Sequence, residues 1–260
     1  MKNALCNDYI PVQMFEEFVR KHSDSVNWYY ASQYKNLTLD FIREFKQQLD
    51  WNWISFFHEM TPEFMEEFKD EINWEIVCER NSFPEHILEK YCDRMPWKLI
   101  CCYQILSENF MRRHAENLHW GEICFKQTMS EEFMEEFQDK LHWNTVSTHG
   151  NLSENFIWKF KDRLNWTLLS YNVPLSLNML REFKDRINWF TIKKNTDLSE
   201  SIIREFQEHM DWEFVSAHCA LSPAFIQEFK RNLNLQSVII NCDLSLEFIE
   251  ELLEDLLRKN

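Results

Sequence analysis

Glycine is almost missing from this chain, at 2 residues in 260. That scarcity removes Gly-rich phosphate loops and the two-residue turns of hairpin-rich β folds. No apolar run approaches the ~18 residues of a membrane span. The first residues, MKNALCNDYIPV, lack the long apolar core of a signal peptide. Positive charge is short too: 28 Lys and Arg stand against 43 Asp and Glu, a formal charge of −15 at pH 7. Proteins that track a phosphate backbone or lie on an anionic membrane need Lys and Arg to do so, which argues against both partners. A soluble protein of the reducing cytoplasm is the expectation.

Aromatics are abundant by contrast, with 22 Phe and 11 Trp, and they are placed by rule. Trp28, Trp51, Trp74, Trp97, Trp120, Trp143, Trp166, Trp189 and Trp212 are each 23 residues apart, and Leu235 and Arg258 fall on the next two beats. A fixed period of this length marks stacked supersecondary units. The sequence therefore reads as all-α, an α-solenoid of about ten 23-residue helix-turn-helix repeats closed by a C-terminal capping helix. A leader covers 1–13, a single repeat domain 14–243 and the capping helix 244–260.

The stretch Leu152–Trp166, LSENFIWKFKDRLNW, shows the rule of one repeat. Phe156, Phe160 and Leu164 are four apart with Ile157 beside them, the stripe of a helix. Ser153 is the expected N-cap, and Leu152 with Ile157 matches a hydrophobic staple. This first helix, A, is expected to run about 11 residues. Asn, Asp, His or Pro precedes each Trp, so a shorter helix B should begin at the Trp itself. Prolines fit: Pro62 and Pro223 fall at a first helical position, Pro84 and Pro96 on caps, Pro174 in a connector.

Cys78, Cys101 and Cys124 lie four after a Trp, where other repeats have Ser32, Ser55, Ser147, Ser170 and Ser216. That exchange indicates a small side chain at a tight contact, and helix separations of about 8–10 Å exceed disulfide reach. The acids of helix A read as a solvated face carrying pairs four apart, Glu136 with Lys140 and Glu182 with Arg186. Pro84, Ile87, Tyr91, Pro96, His114 and Gly121 depart from the rule, so a local irregularity or bend is expected over 83–125.

No catalytic constellation emerges, and neither a cofactor nor a metal site is expected. Cys101, Cys102 and Cys124 with His114 and His119 come nearest to a metal cluster, but Cys101 and Cys124 belong to the small-residue positions. The informative residues are those that break the rule. Trp158 stands where other copies have Arg, Glu or Gln. Tyr29, Tyr30, Trp53, Phe56, Phe57, Tyr103, Phe125, Tyr171, Phe190 and Phe214 lie on helix B or just after it, away from the Trp face. Exposed aromatics are typical interface anchors; the competing reading is that many simply widen the core. In the last helix Leu253 and Leu257 add apolar groups where other copies are polar. They either close the core, leaving a monomer, or offer a homo-oligomer contact, and closure is the favoured reading.

The pattern L-S-x-x-F-I-x-x-F-x-x-x-L-N-W resembles a short tandem repeat of proteins encoded in many paralogues by giant, large nucleocytoplasmic DNA viruses. The likeness spans about residues 14–258 and implies a viral product acting inside an infected cell, with no functional residue to carry over. The functional expectation is a non-enzymatic scaffold or adaptor that engages host or viral proteins through helix B and the connectors. The alternatives are an array recognising nucleic acid or a small ligand, and a structural, self-assembling component.

Overall fold

The computed structural model describes residues 10–192 and 198–258, with side chains of 255–258 excepted. These residues form 21 α-helices and one short 3₁₀ turn, with no strand among them. The chain is an all-α array of helix-turn-helix repeats with the 23-residue spacing, the α-solenoid expected from the Trp period. It divides into two compact units, Met1–Lys140 and Leu141–Asn260. The first helix, Val12–Lys21, begins two residues inside the expected leader.

Both kinds of cap form as the sequence predicts. In helix A the hydroxyls of Thr38, Thr61, Ser107, Ser130, Ser153, Ser176 and Ser222 accept the backbone N–H three residues on. Helix B starts at the Trp, and Asn27, Asp50, Asn73, Asn165 and Asp211 cap it with a side-chain oxygen. His119, His142 and Pro96 contribute no such bond.

Helix A is shorter than its apolar stripe suggests. Its α-helical part covers only 6 residues in Leu39–Glu44, Glu108–Arg113 and Glu154–Lys159. It ends at the Phe six before the Trp, where φ reaches −110° and ψ 23° at Phe45. Turns carry the chain from there to helix B. Unwinding leaves carbonyls without a helical donor, and the Trp takes one of them up. The indole N–H of Trp51 donates to Lys46 O at 2.9 Å, and Trp74, Trp166 and Trp189 make the same bond to Lys69, Lys161 and Lys184. The other face of each indole meets the next repeat. Ring centroids lie 4.9 Å apart for Trp28 and Phe45, 5.2 Å for Trp51 and Phe68, and 4.3 Å for Trp166 and Phe183.

Three polar devices join neighbouring repeats within each unit. The small residue four after the Trp is buried and does double duty. Ser170 Oγ donates to Trp166 O at 2.6 Å and accepts the N–H of Asn188, the cap of the next helix B, at 3.1 Å. Ser32, Ser147 and Ser216 repeat both bonds, and Ser55 accepts from Asn73. Cys101 takes the acceptor role with sulfur, receiving His119 N–H at 3.4 Å. Second, a Glu of helix A clasps the cap of the next helix A: Glu16 accepts from Thr38 N–H, Glu108 from Ser130 and Glu200 from Ser222, each at 2.6 Å.

The third device is ionic and corrects the expected pairing. Glu136 pairs with Arg112 and Lys140 with Glu116, each a repeat away, and Arg186 reaches back to Asp162. The expected four-residue pairs do not form because helix A has unwound before the second member. Arg20 with Glu44, Arg43 with Glu67 and Arg204 with Glu228 continue the same rail. Lys90, with help from Lys69 and Tyr91, holds the Glu66 carboxyl down to about 2.

The segment 83–125 departs from the rule in its caps, while its helices keep the period. Pro84 and Pro96 make no side-chain cap bond, and a buried amide ties the connector that precedes Pro84. Gln104 Nε2 donates to Cys78 O and Asn81 O, both at 2.7 Å, while its oxygen accepts Phe83 N–H at 2.9 Å. Gln127 repeats the arrangement one repeat on.

The last helix, Leu246–Arg258, closes the core of the second unit. Leu252 is fully buried among Val238, Phe225 and Ile226, with Leu244 and Phe248 packed alongside.

Candidate interaction surface

Most residues that follow the repeat rule are consumed by the fold. Among the described residues no buried side-chain nitrogen or oxygen lacks a partner, so a site has to be sought in side chains that the repeat does not use. Helix B and the connector supply them, since one face of helix B carries the aliphatic and small core residues and the other faces outward.

In the first unit this outward surface holds an aromatic cluster built from two successive helices B, Trp28–Ala31 and Trp51–Phe57. Tyr29 meets Tyr30 edge-on at 5.3 Å and Trp53 at 5.8 Å. Trp53 then stacks on Phe57 at 5.6 Å and meets Phe56 edge-on at 5.9 Å. Spacing alone explains the contact: Tyr29 and Trp53 are 24 residues apart, one repeat plus one, so they face each other across neighbouring helices. Two cations border the cluster. The Arg80 guanidinium lies 3.6 Å from the centre of the Phe56 ring, and Lys35 Nζ lies 5.9 Å from that of Phe57. Such cation–ring contacts contribute about 0.5–1 kcal/mol when exposed.

Charge separates between the two kinds of helix. Helices B and connectors of the first unit hold Lys35, Arg80, Lys98 and Lys126 against Glu59, Glu75, Glu79 and Glu122, which balance. The acidic excess therefore belongs to helix A and its turns, where much of it is tied into the ionic rail. An aromatic, locally neutral face stands beside an acidic, polar one.

By exposure the candidates divide into two groups. Tyr103, Phe125, Tyr171 and Phe190 are exposed, Phe125 and Phe190 to about 70%. Tyr30, Trp53, Phe56, Phe57 and Phe214 are half-buried, Phe214 being stacked on His218 at 4.4 Å. For these the core-widening reading holds in part: one face packs and the other is open. Trp158 does not project freely. It is half-buried against Phe183 at 4.7 Å, with its indole N–H donating to Glu154 at 3.3 Å. It occupies the register of Arg43 and Arg112, so an aromatic contact replaces an ion pair there. Leu253 is 45% exposed, and the side chain of Leu257 lies outside the described residues.

The residues of the nearest metal-like cluster have separate structural partners. Cys101 and Cys124 are buried at small-residue positions, and His114 packs on Trp97 and Phe110 and bonds Glu89. Burial pushes the Cys78 and Cys101 thiols up to about 11. No group of three or more His, Cys, Asp or Glu among the described residues is gathered to hold a metal. No described helix is long and apolar enough to cross a membrane.

Sequence reasoning passed over six exposed apolar residues: Met14, Phe18, Leu39, Ile105, Ile240 and Leu246. Five are not aromatic, and Phe18 obeys the repeat rule that normally buries it. Comparison with protein-family models, curated proteins and solved structures gave no match.

Proposed function

We propose that the chain is a non-enzymatic interaction scaffold that binds a protein partner through the outward face of helix B and the connectors. The observation that carries this reading is the cluster of Tyr29, Tyr30, Trp53, Phe56 and Phe57. These rings lie outside the Trp–Phe contacts of the repeat, on a surface without net charge, and aromatics of this kind dominate the binding energy of interfaces. Taken with the resemblance to giant-virus repeats, the partner would be a host or viral protein in the infected cell's cytoplasm.

The test is capture from the native cell with the full chain and with Tyr29→Ala, followed by titration of the purified partner. Loss of a central aromatic anchor costs about 2 kcal/mol or more, roughly thirtyfold in affinity. Tyr29 is 51% exposed, so its removal leaves the fold in place. Recovery of salt-sensitive nucleic acid with no protein would replace this reading with the alternative of a recognition array.

A further inference from the structure

We infer that the two ends of the array are complementary, and that copies of the chain associate head to tail through the last helix, Leu246–Arg258, of one copy and the first, Val12–Lys21, of the next. The partner is a second copy of this chain, and the contact continues the register that already joins repeats inside each unit.

The first helix carries a face that every preceding repeat would cover. The Phe ten before the Trp is at most 1% exposed at Phe41, Phe64, Phe110, Phe133, Phe156 and Phe225. In Phe64, Phe110, Phe133 and Phe156 the ring lies against the Trp of the repeat before, with centroids 6.1–6.5 Å apart. Phe18 has the same register and is 50% exposed, with Met14 at 62%.

The last helix carries the matching change. Leu246 stands where Glu85, Glu108 and Glu200 clasp the cap of the following repeat, and it is 79% exposed. A carboxylate there would find no Ser or Thr cap on the first helix of a second copy, where Phe15 holds that register and Met14 flanks it. The polar clasp is thus absent at both ends, and apolar groups take its place.

Charge fixes the register. Inside the units, the residue eight before one Trp pairs with the residue seven before the next. Arg20–Glu44, Arg43–Glu67, Arg112–Glu136, Arg181–Glu205 and Arg204–Glu228 run in one polarity. Glu66–Lys90 and Glu89–Arg113 run in the other. At the two ends the corresponding residues are Glu250 and Lys21, both exposed and neither in an ion pair among the described residues. They match the second polarity. A contact in the repeat's own register brings Glu250 of one copy to Lys21 of the next.

Such an interface joins two different surfaces, so it adds copies in line or closes a ring. The test is sedimentation velocity of the full chain from micromolar to millimolar concentration, with helical content and melting followed for each variant. The wild-type chain is expected to shift to larger species with concentration. Lys21→Glu and Glu250→Lys each exchange an attraction for a repulsion, which weakens association roughly tenfold. An equimolar mixture of the two restores it, as does the double exchange within one chain, because each mixed contact again pairs opposite charges. Leu246→Glu weakens association without a charge partner to rescue it. These side chains are exposed, so melting is expected to stay at the wild-type value. A wild-type chain that stays monomeric at millimolar concentration overturns the inference. So does association that ignores both charge reversals, or single variants whose mixture remains dissociated.

Discussion

Removing the hydroxyl of Ser170 tests whether the small residue four after the Trp is a spacer or a polar joint. Ser170 is fully buried, donates to Trp166 O at 2.6 Å and accepts Asn188 N–H at 3.1 Å. Ser170→Ala leaves the Trp166 carbonyl its helical donor, but it strands the Asn188 N–H between two helices. Orphaning a buried donor costs about 1–3 kcal/mol, and Asn188 is only half-buried, so about 1–2 kcal/mol is expected. Ser170→Cys keeps a weak acceptor, the arrangement that Cys101 uses toward His119, and should lose less than half of that. Ser170→Val fills the space without accepting, which separates the hydrogen bond from the cavity. Guanidinium unfolding followed by Trp fluorescence gives the order wild type, Cys, then Ala and Val together. Because a repeat array need not unfold in one step, amide exchange at Asn188 supplies the local reading and should accelerate in Ala and Val alone. An Ala variant within about 0.5 kcal/mol of wild type, with exchange at Asn188 unchanged, would refute the joint.

Trp166→Ala opens a cavity beside Phe183 and loses the bond to Lys161 O, so about 3–5 kcal/mol is expected; Trp166→Phe, which keeps the stack, should lose about 1 kcal/mol, both read by denaturant midpoint. Cys78 and Cys101 combine full burial with thiols raised to about 11, so a thiol reagent at pH 8 should modify them only as fast as the array opens, and rapid labelling in the native state would contradict the burial. The Glu108 and Glu200 carboxyls are lowered: burial works against this, but the bonds from Ser130 and Ser222 and from Arg112 and Arg204 outweigh it. A lowered folded value gives stability that is full above the unfolded value, near 4.3, and is lost as pH falls through the folded one. Melting temperature should hold from pH 7 to about 5 and drop below about 4, less steeply in a Glu108→Gln, Glu200→Gln double variant.

Much of the fold was legible because it rests on local chemistry. The Trp period, the Ser and Thr caps and the placement of Pro62, Pro96 and Pro223 each act within a few residues, and each lies in the structure where the sequence puts it. What was not legible is how one repeat meets the next. Glu136 and Lys140 are four apart and look like a pair, yet each has a partner 24 residues away; the helix Glu131–Glu136 ends before Lys140, which separates them. Ser170 reads as small, and only the position of Asn188 shows that its oxygen matters. Trp158 reads as an outlier, but Phe183 on the next repeat gives it cover. For the candidate surface, the sequence supplied the aromatic residues of helix B. The structure supplied the grouping of five of them into one cluster and the two cations at its edge.

The location of that cluster has a thermodynamic consequence. Stability in a stacked array is approximately a sum of unit and nearest-neighbour terms, so a ligand that touches two repeats stabilises those repeats and little beyond the adjoining ones. A partner on Tyr29, Trp53 and Phe57 spans the first two helices B of the first unit. At a hundred times its dissociation constant it would add about 2.7 kcal/mol to whatever opening it opposes. Amide protection should therefore rise in helices Trp28–Ala31 and Trp51–Phe57 and leave helices Trp212–His218 and Leu235–Asn241 unchanged. Head-to-tail association acts at Val12–Lys21, the other helix of the first repeat, and it alone reaches the helix Leu246–Arg258. The two kinds of binding therefore leave separable protection patterns in one exchange experiment. Protection that rose uniformly along the chain on partner binding would show that the array does not divide into nearest-neighbour terms, and the assignment of binding to helix B would lose its physical basis.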